Sequence, residues 1–294
     1  MLRNLLIKLS KSKWAQKTVS GWGFAWRLAS RFIAGQTLEE AVAVVKELNS
    51  AGLTATLDQL GENTTSAEEA SKAALGVIEI LEVIDQNHLR CNVSVKLSQL
   101  GLTIDEDLCR ENIRKILEQA ARSNCFLRID MEDSSLTQKT IGVYRWTLEQ
   151  GYTNVGIVLQ AYLYRSEADI RNLAGSNLRV RLCKGAYLEP AEVAFPHKAQ
   201  VDENYDHLSD LLFEISRENG FPRLSETGII PPIPALATHD PQRITHVRRK
   251  VEAAGLPKDA LDFQMLIGIR RDLQAELAYL GDPVRVYVPF GTHW

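Results

Sequence analysis

From residue 52 onward, short apolar runs rich in β-branched residues alternate with longer segments whose apolar positions recur at helical spacing. This alternation is typical of βαβ units and a parallel sheet. The predicted strands are "LTATLDQL" from Leu53, "CNVSVKL" from Cys91, "FLRIDM" from Phe126, "NVGIVLQ" from Asn154, "LRVRLCK" from Leu178, "PALATH" from Pro234, "DFQMLIG" from Asp262 and "VRVYVP" from Val284. The predicted helices between them are about Ser66–Asp85, Asp105–Ser123, Ser135–Gln150, Ser166–Leu173, Lys198–Glu218, Pro241–Ala254 and Ile269–Leu280.

Eight parallel strands with intervening helices favour a closed (β/α)8 barrel, because right-handed crossovers from that many units can close the sheet. An open doubly wound sheet is the alternative. Lys13–Ala34 and Leu38–Ala51 are also predicted to be helical. The predicted organisation is therefore an N-terminal helical arm, residues 1–51, followed by a barrel domain, residues 52–294.

The longest connection joins the fifth and sixth predicted strands. It contains "LEPAEVAFPHKAQVDENY" and the proline-rich "GIIPPIP". Long loops on a rigid scaffold are typical of functional or lid-like segments. We therefore expect this connection to serve the site.

Composition restricts the functional class. The 294 residues are 45% hydrophobic and 24% charged, as in ordinary soluble globular proteins. A net charge of −3 gives no reason to expect a nucleic-acid partner. Four cysteines without CxxC spacing predict neither a metal site nor a disulfide framework, and they favour a reduced cytoplasm.

The N-terminal sequence leaves two interpretations open. Leu2, Leu5, Leu6 and Leu9 recur at helical spacing among basic residues. Such a stripe is typical of a helix docked on the protein body, and also of a basic helix on a membrane surface. No apolar run approaches the roughly 20 residues of a membrane span. We expect a cytoplasmic protein, with peripheral membrane contact as an option.

In a (β/α)8 barrel the chemistry lies at the carboxyl ends of the strands. The polar residues predicted there are Asp58, Lys96, Asp130, Gln160, Arg181, Lys184, Thr238, His239 and Tyr287. Arg181 interrupts an apolar strand and needs a partner, because burying an unpaired cation costs several kcal/mol. Asp130 is the predicted partner that keeps Lys96 or Arg181 charged. The expected surplus of positive charge suits a carboxylate, a phosphate or a reduced flavin.

A phosphate-binding feature is predicted at Lys184-Gly185-Ala186. The chain has neither GxGxxG nor GxxxxGK[ST], which removes the usual Rossmann and P-loop interpretations. A lysine followed by two small residues just after a strand offers a charge and accessible backbone N–H groups.

Six motifs, in order along nearly the whole chain, resemble proline dehydrogenase of the monofunctional bacterial type, related to the first catalytic domain of proline utilisation A. They are "SVKLSQLG" from Ser94, "RIDMED" from Arg128, "VLQAYLYRS" from Val158, "VRLCKGAYLEP" from Val180, "LATHD" from Leu236 and "VRVYVPFGTHW" from Val284. The resemblance implies a distorted (β/α)8 barrel that holds FAD, oxidises L-proline to Δ1-pyrroline-5-carboxylate, and passes electrons to a membrane quinone.

The resemblance also assigns residues. Lys96 and Asp130 match residues around the substrate, Arg181 matches an arginine beside the hydride-accepting nitrogen of the flavin, and Tyr287 matches an aromatic residue that packs on the proline ring. The matches to FAD contacts are Met131, Gln160, Lys184, Gly185, Ala186, Thr238 and His239.

One departure from the family concerns the substrate carboxylate. Family members continue past the last strand into a helix whose paired arginines bind this group, whereas this chain stops at Trp294. Either the sequence is truncated after Trp294 or the protein lacks this anchor. In both cases the final barrel helix is expected to be absent from this chain, with an earlier helix in the lateral position. Lys96, the remaining nearby cation, is expected to be committed to Asp130. A Schiff-base aldolase using Lys96 or Lys184 and a flavin-binding barrel without turnover are the alternative functions.

Overall fold

Eight parallel strands close into a barrel in the order β1 to β8, with β8 paired to β1. The structure is a computed structural model that describes residues 31–61, 64–175 and 177–292. The strands are β1 (Thr54–Gln59), β2 (Cys91–Val95), β3 (Leu127–Ile129), β4 (Val155–Gln160), β5 (Val180–Cys183), β6 (Pro234–Ala237), β7 (Asp262–Leu266) and β8 (Val284–Phe290). The helices are α1 (Leu38–Ser50), α2 (Ala67–Gln86), α3 (Glu106–Arg122), α4 (Ser134–Glu149), α5 (Ser166–Leu173), α6 (Lys198–Glu218), α7 (Pro241–Ala253) and α8 (Arg271–Tyr279).

These elements confirm the predicted barrel and exclude the open sheet. Each predicted strand run contains one observed strand, except that β8 extends one residue further, to Phe290. Each predicted helix from Ser66 onward contains or closely matches one observed helix. Residues 31–34 of the first predicted helix form turn and extended backbone, so the prediction is wrong there. The rest of that helix and the N-terminal leucine stripe lie outside the described residues. The predicted boundary at residue 51, between the N-terminal arm and the barrel domain, stays a prediction.

Helix α1 occupies the outside of the barrel at the seam between β1 and β8. It begins with a capping box in which Thr37 and Glu40 bind each other's backbone N–H groups. Its apolar face, with Ala41, Val42 and Val45, is buried. Because α1 packs on β1 and β8, an earlier helix takes the lateral position there, as expected.

The amino-terminal half of the barrel interior contains two buried arginines. Arg285 on β8 is 1% exposed, and its Nε lies 2.9 Å from Asp262 Oδ2 on β7. Its other nitrogens donate to the backbone carbonyls of Ala55 and Gly228. Because all three nitrogens have partners, this charge is held rigidly in the core.

Arg128 on β3 is held mainly by backbone. Its Nη1 donates to the carbonyls of Ile157 and Arg179, and its guanidinium lies 4.9 Å from the Phe126 ring centroid. The neighbouring position on β4 is Gly156, where a Cβ would lie 2.5 Å from Arg128 Nη1 and 2.5 Å from the Arg179 carbonyl oxygen. The glycine inside this strand therefore makes room for the arginine.

The "GIIPPIP" segment closes the amino-terminal end of the barrel. The carbonyl of Gly228 accepts from Arg285, and the carbonyl of Ile229 accepts from Asn92 near the start of β2. The expectation that this segment serves the site is wrong, because it lies at the opposite end of the strands. The part of the connection that directly follows β5 lies instead at the carboxyl ends of the strands. There the Glu189 carboxylate accepts a hydrogen bond from the Ser134 N–H at the start of α4, at 2.7 Å.

Within the described ranges, no helix is both long and apolar enough to cross a membrane. In the same part of the chain, no group of three or more His, Cys, Asp or Glu side chains has an arrangement that could hold a metal ion.

Candidate active site

A buried ion pair between Asp130 and Arg181 forms the centre of the site. Asp130 follows β3 directly and Arg181 lies on β5, so both reach the carboxyl half of the barrel interior. Arg181 Nη1 lies 3.3 Å from Asp130 Oδ1, and the side chains are 7% and 11% exposed. Ser94 on β2 accepts from Arg181 Nη2 at 2.7 Å and donates to Asp130 Oδ1 at 2.9 Å. Asp130 is thus the partner that Arg181 was predicted to need.

Tyr287 on β8 completes this cluster. Its hydroxyl donates to Asp130 Oδ2 at 2.7 Å, and Arg181 Cζ lies 5.2 Å from its ring centroid, within cation–π range. Burial, reinforced by the charges of Asp130 and Asp58, raises the pKa of the phenol well above its ordinary value. The hydroxyl therefore keeps its proton and remains a hydrogen-bond donor to Asp130.

Lys96 pairs with Asp58, not with Asp130. Its Nζ lies 2.9 Å from Asp58 Oδ2, and the two side chains are 12% and 2% exposed. The expected commitment of Lys96 to Asp130 is therefore wrong. The reason is the barrel order: Lys96 follows the end of β2, beside β1, which carries Asp58, while Asp130 is taken by Arg181 and Tyr287.

Three neighbouring effects act on the pKa of Asp58. Burial raises its pKa above the ordinary value, Lys96 opposes this, and the like charge of Asp130 adds to it. Its Oδ1 is buried and receives no hydrogen bond from the described residues. The two ion pairs, Lys96–Asp58 and Arg181–Asp130, thus lie in one buried region of the barrel interior. Within it, Asp58 Oδ1 is an acceptor without a donor.

Gln160, at the end of β4, leaves a second polar atom without a partner. Its Nε2 donates to the backbone carbonyls of Met131 at 3.4 Å and Glu132 at 3.3 Å. Its Oε1 is buried and unpartnered within the described chain. Because buried polar atoms are normally hydrogen-bonded, this oxygen indicates a place for a ligand donor.

Lys184 is held by two carboxylates. Its Nζ binds Asp202 on α6 and lies 2.8 Å from Asp240, the N-cap residue of α7. Burial alone would raise the pKa values of both carboxyl groups, but hydrogen bonds from Lys184 and other donors hold them below the ordinary range. Since Lys96, Arg181 and Lys184 each have a carboxylate partner, the predicted surplus of positive charge is wrong for these side chains.

The residues after Lys184 differ in exposure. Gly185 has φ +118°, and a Cβ there would collide with the ring of Tyr162, so this turn requires glycine. Ala186 is exposed. The segment therefore presents small residues at the carboxyl end of β5.

Thr238 and His239 follow β6. Thr238 is buried, and its hydroxyl accepts the Asp240 N–H at 3.1 Å. His239 Nε2 accepts the Leu266 N–H at 2.9 Å, which assigns the proton to Nδ1. Burial, and then the charge of Arg270, lowers the pKa of His239 below 6.5. The imidazole is therefore neutral and oriented.

The sequence analysis missed three residues of this region: Ser94, Asp202 and Asp240. Ser94 had a signal, because Asn92, Ser94 and Lys96 alternate with apolar residues along one strand. Asp202 and Asp240 had none, since only the packing of α6 and α7 brings them to Lys184. Asp58 was noted at a strand end without a role.

The family model described as proline dehydrogenase matches residues 41–294. The chain belongs to the proline dehydrogenase family. Proline dehydrogenase 2 of Bacillus subtilis is 38% identical over 294 residues, covering 99% of this chain and 91% of that protein. Proline dehydrogenase of Deinococcus radiodurans is 41% identical over 273 residues, covering 92% of this chain and 83% of that protein.

The fold comparison agrees with this membership in the proline dehydrogenase family. The crystal structure of proline utilization A from Bdellovibrio bacteriovorus, inactivated by N-propargylglycine, superposes with a TM-score of 0.81 at 26% identity. The likeness covers 91% of this chain and 31% of that longer chain. The region matched by the family model contains every side chain of the site, from Asp58 to Tyr287.

Proposed function

We propose that this proline dehydrogenase family member oxidises L-proline to Δ1-pyrroline-5-carboxylate with FAD as hydride acceptor, and that a membrane quinone receives the electrons. One observation carries the proposal: Asp130, Arg181, Ser94 and Tyr287 form a buried hydrogen-bonded cluster at the carboxyl ends of the strands, where (β/α)8 barrels do chemistry.

The residues present fit a flavin. Gln160 Oε1 and Arg181 Nε are buried polar atoms without partners in the described chain, one an acceptor and one a donor. A flavin ring has both N–H donors and carbonyl acceptors along its polar edge, so it can satisfy both. We assign Met131, Gln160, Arg181, Thr238 and His239 to the ring side of the cofactor, and Lys184, Gly185 and Ala186 to its phosphates.

FAD, when bound, supplies the two-electron acceptor. The protein's own groups do the positioning. Arg181 is a fixed cation that favours negative charge developing nearby, more strongly in a dry cavity than in water. Asp130, Ser94 and the Tyr287 ring hold its guanidinium in place. Tyr287 also offers an apolar ring face to the proline ring, and Lys96 offers a positive charge to the proline carboxylate.

The Schiff-base alternative is disfavoured by the ion pairs. A nucleophilic lysine must reach its neutral form. Lys96 lies 2.9 Å from Asp58, and Lys184 binds both Asp202 and Asp240. Carboxylate partners at these distances favour the charged ammonium.

The test begins with the absorption spectrum of the purified protein. We expect flavin bands, FAD in the denatured supernatant, and bleaching by L-proline without oxygen. Dye reduction should require L-proline, and borohydride with substrate should leave no covalent adduct. A protein with FAD that L-proline does not bleach would be a binder without turnover. A borohydride-trapped lysine adduct would instead support the aldolase.

A further inference from the structure

The two buried carboxylates of the site differ in how completely they are bonded. Both oxygens of Asp130 have donors: Oδ1 receives Ser94 and faces Arg181, and Oδ2 receives Tyr287. Asp58 has a partner on Oδ2 only, where Lys96 donates at 2.9 Å. No described residue donates to its Oδ1. The buried carboxylate oxygen that still lacks a donor is therefore on Asp58.

An unpaired carboxylate oxygen in a buried place is costly, because it has lost its hydrogen bonds to water without gaining others. The ligand that relieves this cost must bring an N–H donor with positive charge. Proline has one such group, the secondary ammonium in its ring. Its carboxylate would be repelled by Asp58 and Asp130 and suits the side of Lys96 instead.

We propose that Asp58 is a catalytic residue whose Oδ1 receives the secondary ammonium of the substrate and takes one of its protons. The assignment rests on the proposed function for its substrate. The N–H bond breaks, the proton goes to Asp58 Oδ1, and the electron pair stays on nitrogen. This lone pair forms the second bond of C=N as C5 gives up a hydride to the two-electron acceptor. The substrate is oxidised by two electrons, and the remaining N–H proton leaves with the product.

The surroundings of Asp58 suit this exchange. Lys96 from the end of β2 favours the ionised acceptor before the reaction, while Asp130 after β3 disfavours two adjacent negative charges. The protonated Tyr287 hydroxyl from β8 lowers the pKa of Asp58 slightly, and Arg181 faces Asp130 across the interior. Burial raises the pKa of Asp58, which makes it a stronger proton acceptor than an exposed carboxylate.

The experiment compares Asp58→Asn with Asp107→Asn, which removes a carboxylate whose side chain is 93% exposed on α3. We expect D58N to lower kcat/KM for L-proline by about 100-fold or more at neutral pH, the scale for losing a general base. The loss should shrink as pH rises, because neutral amine then enters from solution. D107N should match the wild type. A D58N profile parallel to the wild-type profile overturns the proposal.

Lys96→Gln separates proton transfer from positioning. If Asp58 acts only by holding Lys96, K96Q and D58N should share one pH profile, and the proposal fails. If Asp58 takes the proton, K96Q should change KM and keep a pH-dependent kcat whose limb is shifted to higher pH, because the pKa of Asp58 then loses the lowering effect of Lys96. D58N should lack this limb.

A measurement on the wild-type protein whose flavin has first been reduced with dithionite needs no variant, and L-proline cannot turn over in it. Cyclopentanecarboxylate has the substrate's shape without nitrogen, so it leaves Asp58 Oδ1 without a donor. Its Kd should tighten relative to that of L-proline as pH falls through the raised pKa of Asp58, because protonated Asp58 needs no donor. A ratio of the two Kd values that does not change with pH overturns the proposal. Wild-type protein that binds both ligands in the expected ratio but never oxidises proline would contradict only the proposed function.

Discussion

The two halves of the barrel interior hold similar charges by different means. In the amino-terminal half, Arg285 and Arg128 donate mainly to backbone carbonyls, and one carboxylate, Asp262, takes part. In the carboxyl half, Arg181 and Lys96 are bound by side chains. Backbone carbonyls neither titrate nor move. Side-chain carboxylates and hydroxyls can exchange protons. The charges of the amino-terminal half therefore form a fixed core, whereas those of the carboxyl half lie among groups that can react.

The largest expected effect is on stability, in the amino-terminal half. Arg285→Leu should lower the free energy of unfolding by about 3–5 kcal/mol, because it leaves Asp262 buried without its cation. Urea denaturation followed by circular dichroism measures this loss. The double variant Arg285→Leu/Asp262→Leu should recover most of it. A double variant no more stable than the single one would show that the backbone bonds matter more than the ion pair.

The matching change in the carboxyl half should affect rate more than stability. Arg181→Met should slow substrate-driven flavin reduction by about 100- to 1,000-fold, the scale of removing one preorganised electrostatic contact. Asp130 keeps Ser94 and Tyr287 as donors, so the unfolding free energy should fall less than in Arg285→Leu. Stopped-flow reduction and urea denaturation give both quantities. Reduction at the wild-type rate would refute the role of Arg181.

A smaller effect is expected from Gly156→Ala, which tests how tightly Arg128 is held. The added Cβ would lie 2.5 Å from two atoms that cannot easily move apart, at a cost of about 1–3 kcal/mol in unfolding free energy. Gly142→Ala is the control, because a Cβ there meets nothing within 4 Å on the helix α4. That change should stabilise by about 0.5–1 kcal/mol. Equal effects at both positions would contradict the close packing.

The smallest effect concerns His239 and pH. Its folded pKa is depressed below 6.5, so the unfolded chain binds more protons in the window from 6.5 down to the folded value. Stability should therefore be lost as pH falls through that window. His239→Asn should flatten this part of the profile of unfolding free energy against pH. An unchanged slope would show that another group causes the loss.

The fold could be predicted from the sequence because each strand and helix has its own local pattern of apolar residues. Strand runs and helical spacing predicted nearly every element from residue 52 onward. The residues of the site were readable as polar positions at strand ends. Their pairing was not, because the choice of Asp58 or Asp130 by Lys96 depends on which strands are neighbours and which donors are already engaged.

The role of a loop was equally hard to predict. "GIIPPIP" has the composition of a surface connection, yet its carbonyls at Gly228 and Ile229 close the amino-terminal end of the barrel. Local composition does not say at which end of the strands a connection lies. The position of this segment depends on hydrogen bonds from buried donors on distant strands, Arg285 and Asn92.

The seam between β1 and β8, covered by α1, determines when the barrel can be completed during synthesis on the ribosome. β1 pairs with β8 from Thr54↔Arg285 to Gln59↔Phe290, so strands near opposite ends of the described chain share one ladder. Such contacts have a very large sequence separation, which slows folding. Until β8 has emerged, β1 has an unpaired edge that can recruit other chains. Helix α1, made first, can cover this region early, and chaperone demand should peak in the interval before the last strand arrives.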